Sequence, residues 1–283
     1  MTARPAPTAR RIRLATELRR LRERAGLTAT EAAQQLGTSS GQLSNVETAR
    51  FGVSSDRIRA MASTYSCLDQ AYVDALVAMA GDRTRGWWEQ YRDILPVGLL
   101  NLAEFEHHAT SLRTAYTAHI PGLLQTADHA REIFRQVVPQ LSPPEIEHRV
   151  SHRIKRQDVI YRMDPIPYSA IVHEAALRMR FGGPTTARRQ LEHLLAMSER
   201  DHITVLVIPF DAGAFPGSGQ SLAYGLGPVP ELDTVHLDQS HGSVLLDAEA
   251  QLAKYRTLLD RMEAVALGPE KSRDFIHNIA QEL

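Results

Sequence analysis

The chain has 283 residues, 43% hydrophobic and 23% charged, with a net charge of −1. This is the composition of a globular protein long enough for two domains, and it excludes a fibrous or low-complexity chain. A single cysteine, Cys67, excludes an intrachain disulfide framework and a four-thiolate zinc site.

The near-zero net charge hides an asymmetry. Residues 1–66 carry 11 arginines against five acidic residues (Glu17, Glu23, Glu31, Glu47 and Asp56), and the rest of the chain is acidic in balance. A basic module beside an acidic one fits a polyanionic partner for the first of them only. Only Lys155, Lys254 and Lys271 are lysines, a bias that reflects a GC-rich source more than a mechanism. No apolar run reaches the length of a membrane span, and the N-terminus MTARPAPTARR lacks a signal peptide's apolar segment. A cytoplasmic protein without membrane contact is expected.

In chain order, residues 1–9 read as a disordered basic arm containing Pro5 and Pro7. Leu14, Leu18 and Leu21 predict an amphipathic helix over 11–25, which Gly26 ends. Thr28 and Glu31 form a capping box that opens a second helix through Leu36. Gly37 breaks that helix, and Ser39 caps a third through Glu47. Ser54 or Ser55 caps a fourth, with Ile58, Met61, Ala62 and Tyr65 on one face, and 68–79 is a fifth. Residues 10–80 are therefore expected to form an all-α, five-helix domain, followed by a linker at 81–86 (GDRTRG). Over 87–283 a mixed α+β domain is expected. Strands are predicted at 166–172, 203–208, 234–237 and 244–246. Helices are predicted at 126–138, 143–162, 185–199, 248–266 and 269–281.

The strongest motif is Ala33–Gly37–Leu43–Val46. Two helices crossing steeply need a small side chain where they touch, and Ala33 supplies it. The sharp turn four residues later needs a positive φ, which glycine adopts without strain. Leu43 and Val46 then turn inward from the second helix, meeting Ala32 and Leu36.

Catalytic and metal templates fail on the same chain. His148 and His152 stand i, i+4 with Glu145 one turn earlier, but without further ligands they read as a solvated helix face. His173-Glu174 lacks the second histidine of a zinc-protease motif. Gly217-Ser218-Gly219 lacks the third glycine and the βαβ setting of a dinucleotide fingerprint, and 215–220 reads as a flexible loop. No catalytic residue, cofactor or metal is assigned, and the chain is read as a non-enzyme.

With the basic charge and the flanking helices in register, LRRLRERAGLTATEAAQQLGTSSGQLSNVETAR resembles the Cro/repressor-type family of helix-turn-helix regulators. The resemblance implies a lambda-repressor-like fold that binds double-stranded DNA, with 39–47 as the recognition helix in the major groove. Ser39, Ser40, Gly41, Gln42, Ser44 and Asn45 are then the residues facing bases. Gln42 is suited to a bidentate contact with adenine, and Gly41 to close backbone approach. Thr28 and Arg50 join the DNA-binding set, with Arg10, Arg11 and Arg13 as further phosphate candidates. Arg22 and Glu47 are implied as a structural pair. The family often has glutamine where this chain has Ala29 and Ser40, and a basic residue where it has Asn45. More of the affinity is therefore expected from phosphates.

From residue 86 the chain resembles an actinobacterial group of regulators described as WhiJ-like or antitoxin-like. The carrying segments include GWWEQYRDILP (86–96), HIPGLLQTADHAR (119–131) and RVSHRIKRQDVIYRMDP (149–165). They continue with HEAALR (173–178), QLEHLL (190–195), ITVLVIPFDAGA (203–214) and ALGPEKSRDFI (266–276). The resemblance implies a small partner protein encoded nearby. The expectation is a homodimeric transcription regulator whose second domain dimerises and receives that partner's signal, with Trp87 and Trp88 packing the domain junction. A small-molecule sensor, or an antitoxin that represses its own promoter, is the alternative.

Overall fold

The computed structural model describes residues 7–82, 85–217, 219–239 and 242–283. Residues 1–6 of the expected arm, 83–84 of the expected linker and Ser218 of the 215–220 loop lie outside them. The chain divides into two compact units, Met1–Trp87 and Trp88–Leu283.

The first unit is helical: α1 (Ala9–Arg24), α2 (Ala29–Gln35), α3 (Ser40–Glu47), α4 (Ser55–Thr64) and α5 (Gln70–Gly81). Each start has a chemical cause. The side chains of Thr8, Thr28, Ser39, Ser54 and Asp69 each accept a backbone N–H three residues on, satisfying a donor that the helix itself leaves free. The α5 cap is Asp69, so that helix starts after the predicted position and Leu68 is left 94% exposed. Gly81, expected in the linker, is the last residue of α5. The helix ends are equally regular. Gly26 (φ 70°) and Gly37 (φ 63°) are left-handed, and the amides at 26–27 and 37–38 return to carbonyls of the preceding turn. Ser66 (φ 54°) ends α4 the same way. Leu14, Leu18, Leu21, Ile58, Met61 and Leu76 fill the core. Inside it Glu17, 1% exposed, accepts from Arg13 Nε (2.6 Å), Arg20 Nη1 (2.6 Å) and Tyr72 Oη (2.7 Å). That carboxylate ties α1 to α5.

The second unit opens with a short 3₁₀ turn over Trp87–Tyr91. Then come α6 (Val97–His108), β1 (Ser111–Tyr116), α7 (Ala127–Arg135), α8 (Pro143–Arg156), α9 (Asp158–Tyr161), β2 (Tyr168–His173) and α10 (Glu174–Arg178). They are followed by α11 (Gly183–Ser198), β3 (Ile203–Ile208), β4 (Leu222–Leu226), β5 (Thr234–Gln239), β6 (Gly242–Leu246), α12 (Glu249–Val265) and α13 (Pro269–Gln281). Among the described residues the strands form one six-stranded mixed sheet ordered β3-β2-β1-β4-β5-β6, with β1, β2 and β3 parallel and β4, β5 and β6 antiparallel to their neighbours. Alternate side chains point to opposite faces. Leu112, Ala170 and Val205 pack with Leu191 and Leu194 of α11 and Ile276 of α13. Ala115, Ile171 and Leu206 pack with Leu252, Leu259 and Met262 of α12 on the other face. The fold is thus a helical domain followed by a mixed α and β domain with helices on both sides of its sheet.

Two expectations, the single helix over 143–162 and the solvated His152, are corrected here. The helix expected over 143–162 is two, because the chain tightens at Gln157, whose Nε2 donates to the Gln125 carbonyl at 2.7 Å. His152 is not on a solvated face: it is 1% exposed and meets Tyr91 edge-on at 5.2 Å. His148 is exposed. Trp88 is buried within the second unit, its ring 5.0 Å from that of His107 and 6.0 Å from that of His108. Arg156 forms a buried bidentate pair with Glu106, across 50 positions of sequence.

Candidate nucleic-acid interface

The α2–turn–α3 segment is built by two capping boxes in series. Thr28 accepts from the Glu31 amide (3.2 Å) while Glu31 accepts from the Thr28 amide (2.8 Å). Ser39 accepts from the Gln42 amide (3.2 Å), and Gln42 Oε1 accepts from the Ser39 amide (3.4 Å). Between the boxes, Gly37 reverses the chain. Ala32 and Ala33 on α2 and Leu43 on α3 are 0%, 2% and 2% exposed, which allows the two helices to cross closely. Val46 and Leu36 are only half-buried, so they border this contact instead of sealing it.

Beneath the second helix lies a charged clamp. Arg22 Nε and Nη2 donate to Glu47 Oε1 and Oε2, each at 2.8 Å, and Nη1 donates to the Leu27 carbonyl at 2.8 Å. Both residues are buried. The hydrogen bond to Glu47 raises the Arg22 pKa against the opposing effect of burial. Tyr65 sits in the same field, and burial followed by the Glu47 charge pushes its hydroxyl up to about 12.

The outward surface of α3 is polar and nearly chargeless. Ser39, Ser40, Gly41, Gln42 and Ser44 are exposed, and Asn45 is half-buried with its carbonyl accepting from the Phe51 amide. Gln42 is not a free reader: its Oε1 also accepts from the Thr38 hydroxyl at 2.5 Å. Adenine recognition would require that oxygen to exchange partners. Thr28, exposed at the start of α2, has its hydroxyl committed to the Glu31 cap.

The arginines sort sharply. Arg13 is 9% exposed and bound to Glu17, which removes it from the phosphate candidates, because a buried paired guanidinium cannot reach a polyanion. Arg10 is half-buried. Arg19 pairs with Glu23, Arg59 with Asp74, and Arg57 caps the Leu36 carbonyl at 3.0 Å. Arg11, Arg24 and Arg50 are exposed and carry no ion pair among the described residues. The Arg11 guanidinium lies 3.9 Å from where a β-carbon on Gly52 would stand. Arg11 and Arg50 thus flank one loop, directly after α3. Sequence spacing gave no sign of that juxtaposition, because it is a contact between α1 and the α3–α4 loop. Among the described residues, no group of three or more His, Cys, Asp or Glu could hold a metal ion, and no helix is long and apolar enough to cross a membrane.

Two short helices packed together through Ala32, Ala33 and Leu43 and joined at a left-handed glycine, with an exposed polar face on the second, define a helix-turn-helix protein. Residues 13–76 match the family described as Helix-turn-helix domain. Residues 99–278, more than half of the chain, match the Domain of unknown function (DUF5753), and the chain belongs to that family. No curated protein and no solved structure matches it. A helix-turn-helix domain of this kind suggests a DNA-binding regulator.

Proposed function

We propose that the chain is a sequence-specific, non-enzymatic transcription regulator of the Cro/repressor type, acting in the cytoplasm as a homodimer. The observation that carries this reading is the exposed polar start of α3 at the mouth of a glycine turn, flanked by the unpaired guanidiniums of Arg11 and Arg50. Bases are met by Ser39–Asn45 and phosphates by the two arginines. Residues 88–283 join two copies and receive a signal. The WhiJ-like resemblance of this part supports a small partner protein as the source. A small-molecule signal is the second reading, and the polar cluster at the end of β1, described next, favours it.

The test is selection of bound duplexes from a random library by the full-length protein. The reading expects an enriched pair of half-sites related by a twofold axis and spaced by about 10 bp or a multiple. Recovery of unenriched DNA, with affinity that depends on salt alone, would remove sequence-specific regulation.

A further inference from the structure

In the second unit the chain leaves β1 towards β2 and β3 on one side, then returns to lay β4 on the other. Such a reversal leaves a crevice at the carboxyl end of the strand where it happens, which is where open α/β sheets take their ligands. The register shows what stands there. Ala115 pairs with Leu222, and Leu222 with Leu237, all packed on the α12 face. One residue further along, Tyr116 and Asp238 turn to the opposite face, two strands and roughly 10 Å apart. The charges acting on Tyr116 come from Arg156, Glu106, Arg153 and Asp238, so α6 and α8 bring their ionic groups to this same end.

These groups do not balance one another. Arg156 is neutralised by its two hydrogen bonds to Glu106. Among the described residues Arg153 has no carboxylate bonded to it. Among the described residues its one hydrogen bond runs to the neutral Gln125 Oε1, and its guanidinium stands 4.6 Å from the centre of the Phe134 ring. A guanidinium has five N–H donors in a planar fork, so most of this one is uncommitted. Gly122 makes room for it, since a β-carbon there would lie 3.3 Å from Arg153 Cδ. Burial and the neighbouring Arg156 charge lower its pKa to about 10. The Tyr116 hydroxyl has no hydrogen-bond partner among the described residues. His129 is 2% exposed with both ring nitrogens unpartnered, and its ring meets Phe181 at 5.6 Å. His119 meets the same Phe181 ring at 5.3 Å, and the charge of Arg153 acts on both histidines. His129 is thus a buried polar group without a partner, which is rare and calls for a function, while Arg153 and Tyr116 are half-buried and His119 is exposed, within reach of a ligand entering from solvent.

We propose that the carboxyl end of β1 is a binding site for a small organic anion whose carboxylate or phosphate pairs with Arg153, beside Tyr116, His119 and His129. A planar fork with free donors suits an oxyanion, and the rings of Phe134 and Phe181 give the rest of the ligand apolar walls. This deepens the small-molecule reading above and rests on it only for a role in regulation.

The experiment is calorimetric titration of the full-length protein with benzoate and with inorganic phosphate as probes. Saturable binding of at least one probe is expected, weakened roughly tenfold in Arg153→Lys, which keeps the charge and loses the fork. Tyr116→Phe, which removes one hydroxyl and keeps the packing, should weaken it by several-fold and serves if Arg153→Lys does not fold. Absence of saturable binding for both probes, or equal affinity in wild type and the folded variants, overturns the site. Operator binding scored separately on the same proteins distinguishes this failure from failure of the DNA-binding reading.

Discussion

Arg22 and Glu47 form a two-point ion pair at 2.8 Å across 25 positions of sequence, locking the last residue of α3 to the end of α1. Truncating Glu47 to alanine leaves a buried guanidinium with the Leu27 carbonyl and a longer, 3.8 Å contact to the exposed Glu23 carboxylate. Breaking such a pair costs roughly 3–5 kcal/mol, and the retained carbonyl bond places this case near the lower end. A lowered melting temperature of the first unit is the expected result, with operator binding lost only as folding is lost. An unchanged melting temperature together with lost binding would instead put Glu47 among the DNA contacts.

Gln42 closes the α3 cap, and the proposed function gives it a base contact as well; one variant separates the two. Gln42→Ala removes half of a capping box, costing about 0.5–1 kcal/mol of stability, and removes any base contact, costing roughly 1–3 kcal/mol on the operator. Binding to random duplex should hardly move. Equal losses on both DNAs would leave the residue as a cap alone.

Arg11 and Arg50 are expected to act on phosphates. Alanine at either position should weaken operator and random DNA alike and reduce the salt slope by about one. Arg13→Ala should behave differently, lowering stability through the Glu17 network while leaving the salt slope unchanged once the protein is folded. Salt titrations of the three variants decide between these roles.

All twelve histidines lie beyond residue 87, and of the six that burial lowers, three couple the second unit most strongly to pH. Burial lowers His129 and His236 to about 4 and His152 to about 3. The neighbouring charges are His119 and Arg153 for His129, Arg156 and Arg153 for His152, and Asp238 and Arg156 for His236. In the unfolded chain these rings protonate near 6.5, while in the folded unit they stay neutral. Stability is therefore intact above that value and falls by up to about 1.4 kcal/mol per pH unit for each histidine as pH drops towards 4. Acid titration followed by circular dichroism should show the second unit melting before the histidine-free first. Simultaneous loss of both would refute the assignment.

Dimerisation is expected to reside in residues 88–283, since a single short recognition helix reads too few base pairs to select an operator. Sedimentation equilibrium at micromolar concentration should find full-length dimers. A fragment ending at residue 82 should sediment as a monomer. If that fragment dimerises by itself, the interface lies in the first unit.

The local signals were legible in the sequence and the distant ones were not. Caps at Thr28 and Ser39 and the turn at Gly37 are written within three or four residues, so α2 and α3 could be placed closely. The strands β1 and β4 were not predicted, although they are the central pair of the sheet, because neither reads as an apolar run. Arg113 interrupts β1, and its guanidinium reaches across to Asp260 and Glu263 of α12. Gly225 interrupts β4, where a β-carbon would come within 2.5 Å of the Phe105 ring. The Glu17 hub, the Glu106–Arg156 pair and the burial of His152 join partners that no periodicity relates. Arg13 shows the same limit in the first unit: its charge is visible in the sequence, and its neutralisation by Glu17 is not.

The division of labour along α3 has an evolutionary consequence. Its folding rests on Ser39, Leu43 and Glu47, whereas the side chains of Ser40 and Ser44 and the bare backbone of Gly41 carry no fold-specific bond. On the proposed reading, operator preference can therefore drift at those three positions without the helix being rebuilt around each change. Gln42, whose side-chain oxygen closes the cap, is on the same reading the position where a new preference and a stable fold must be found together.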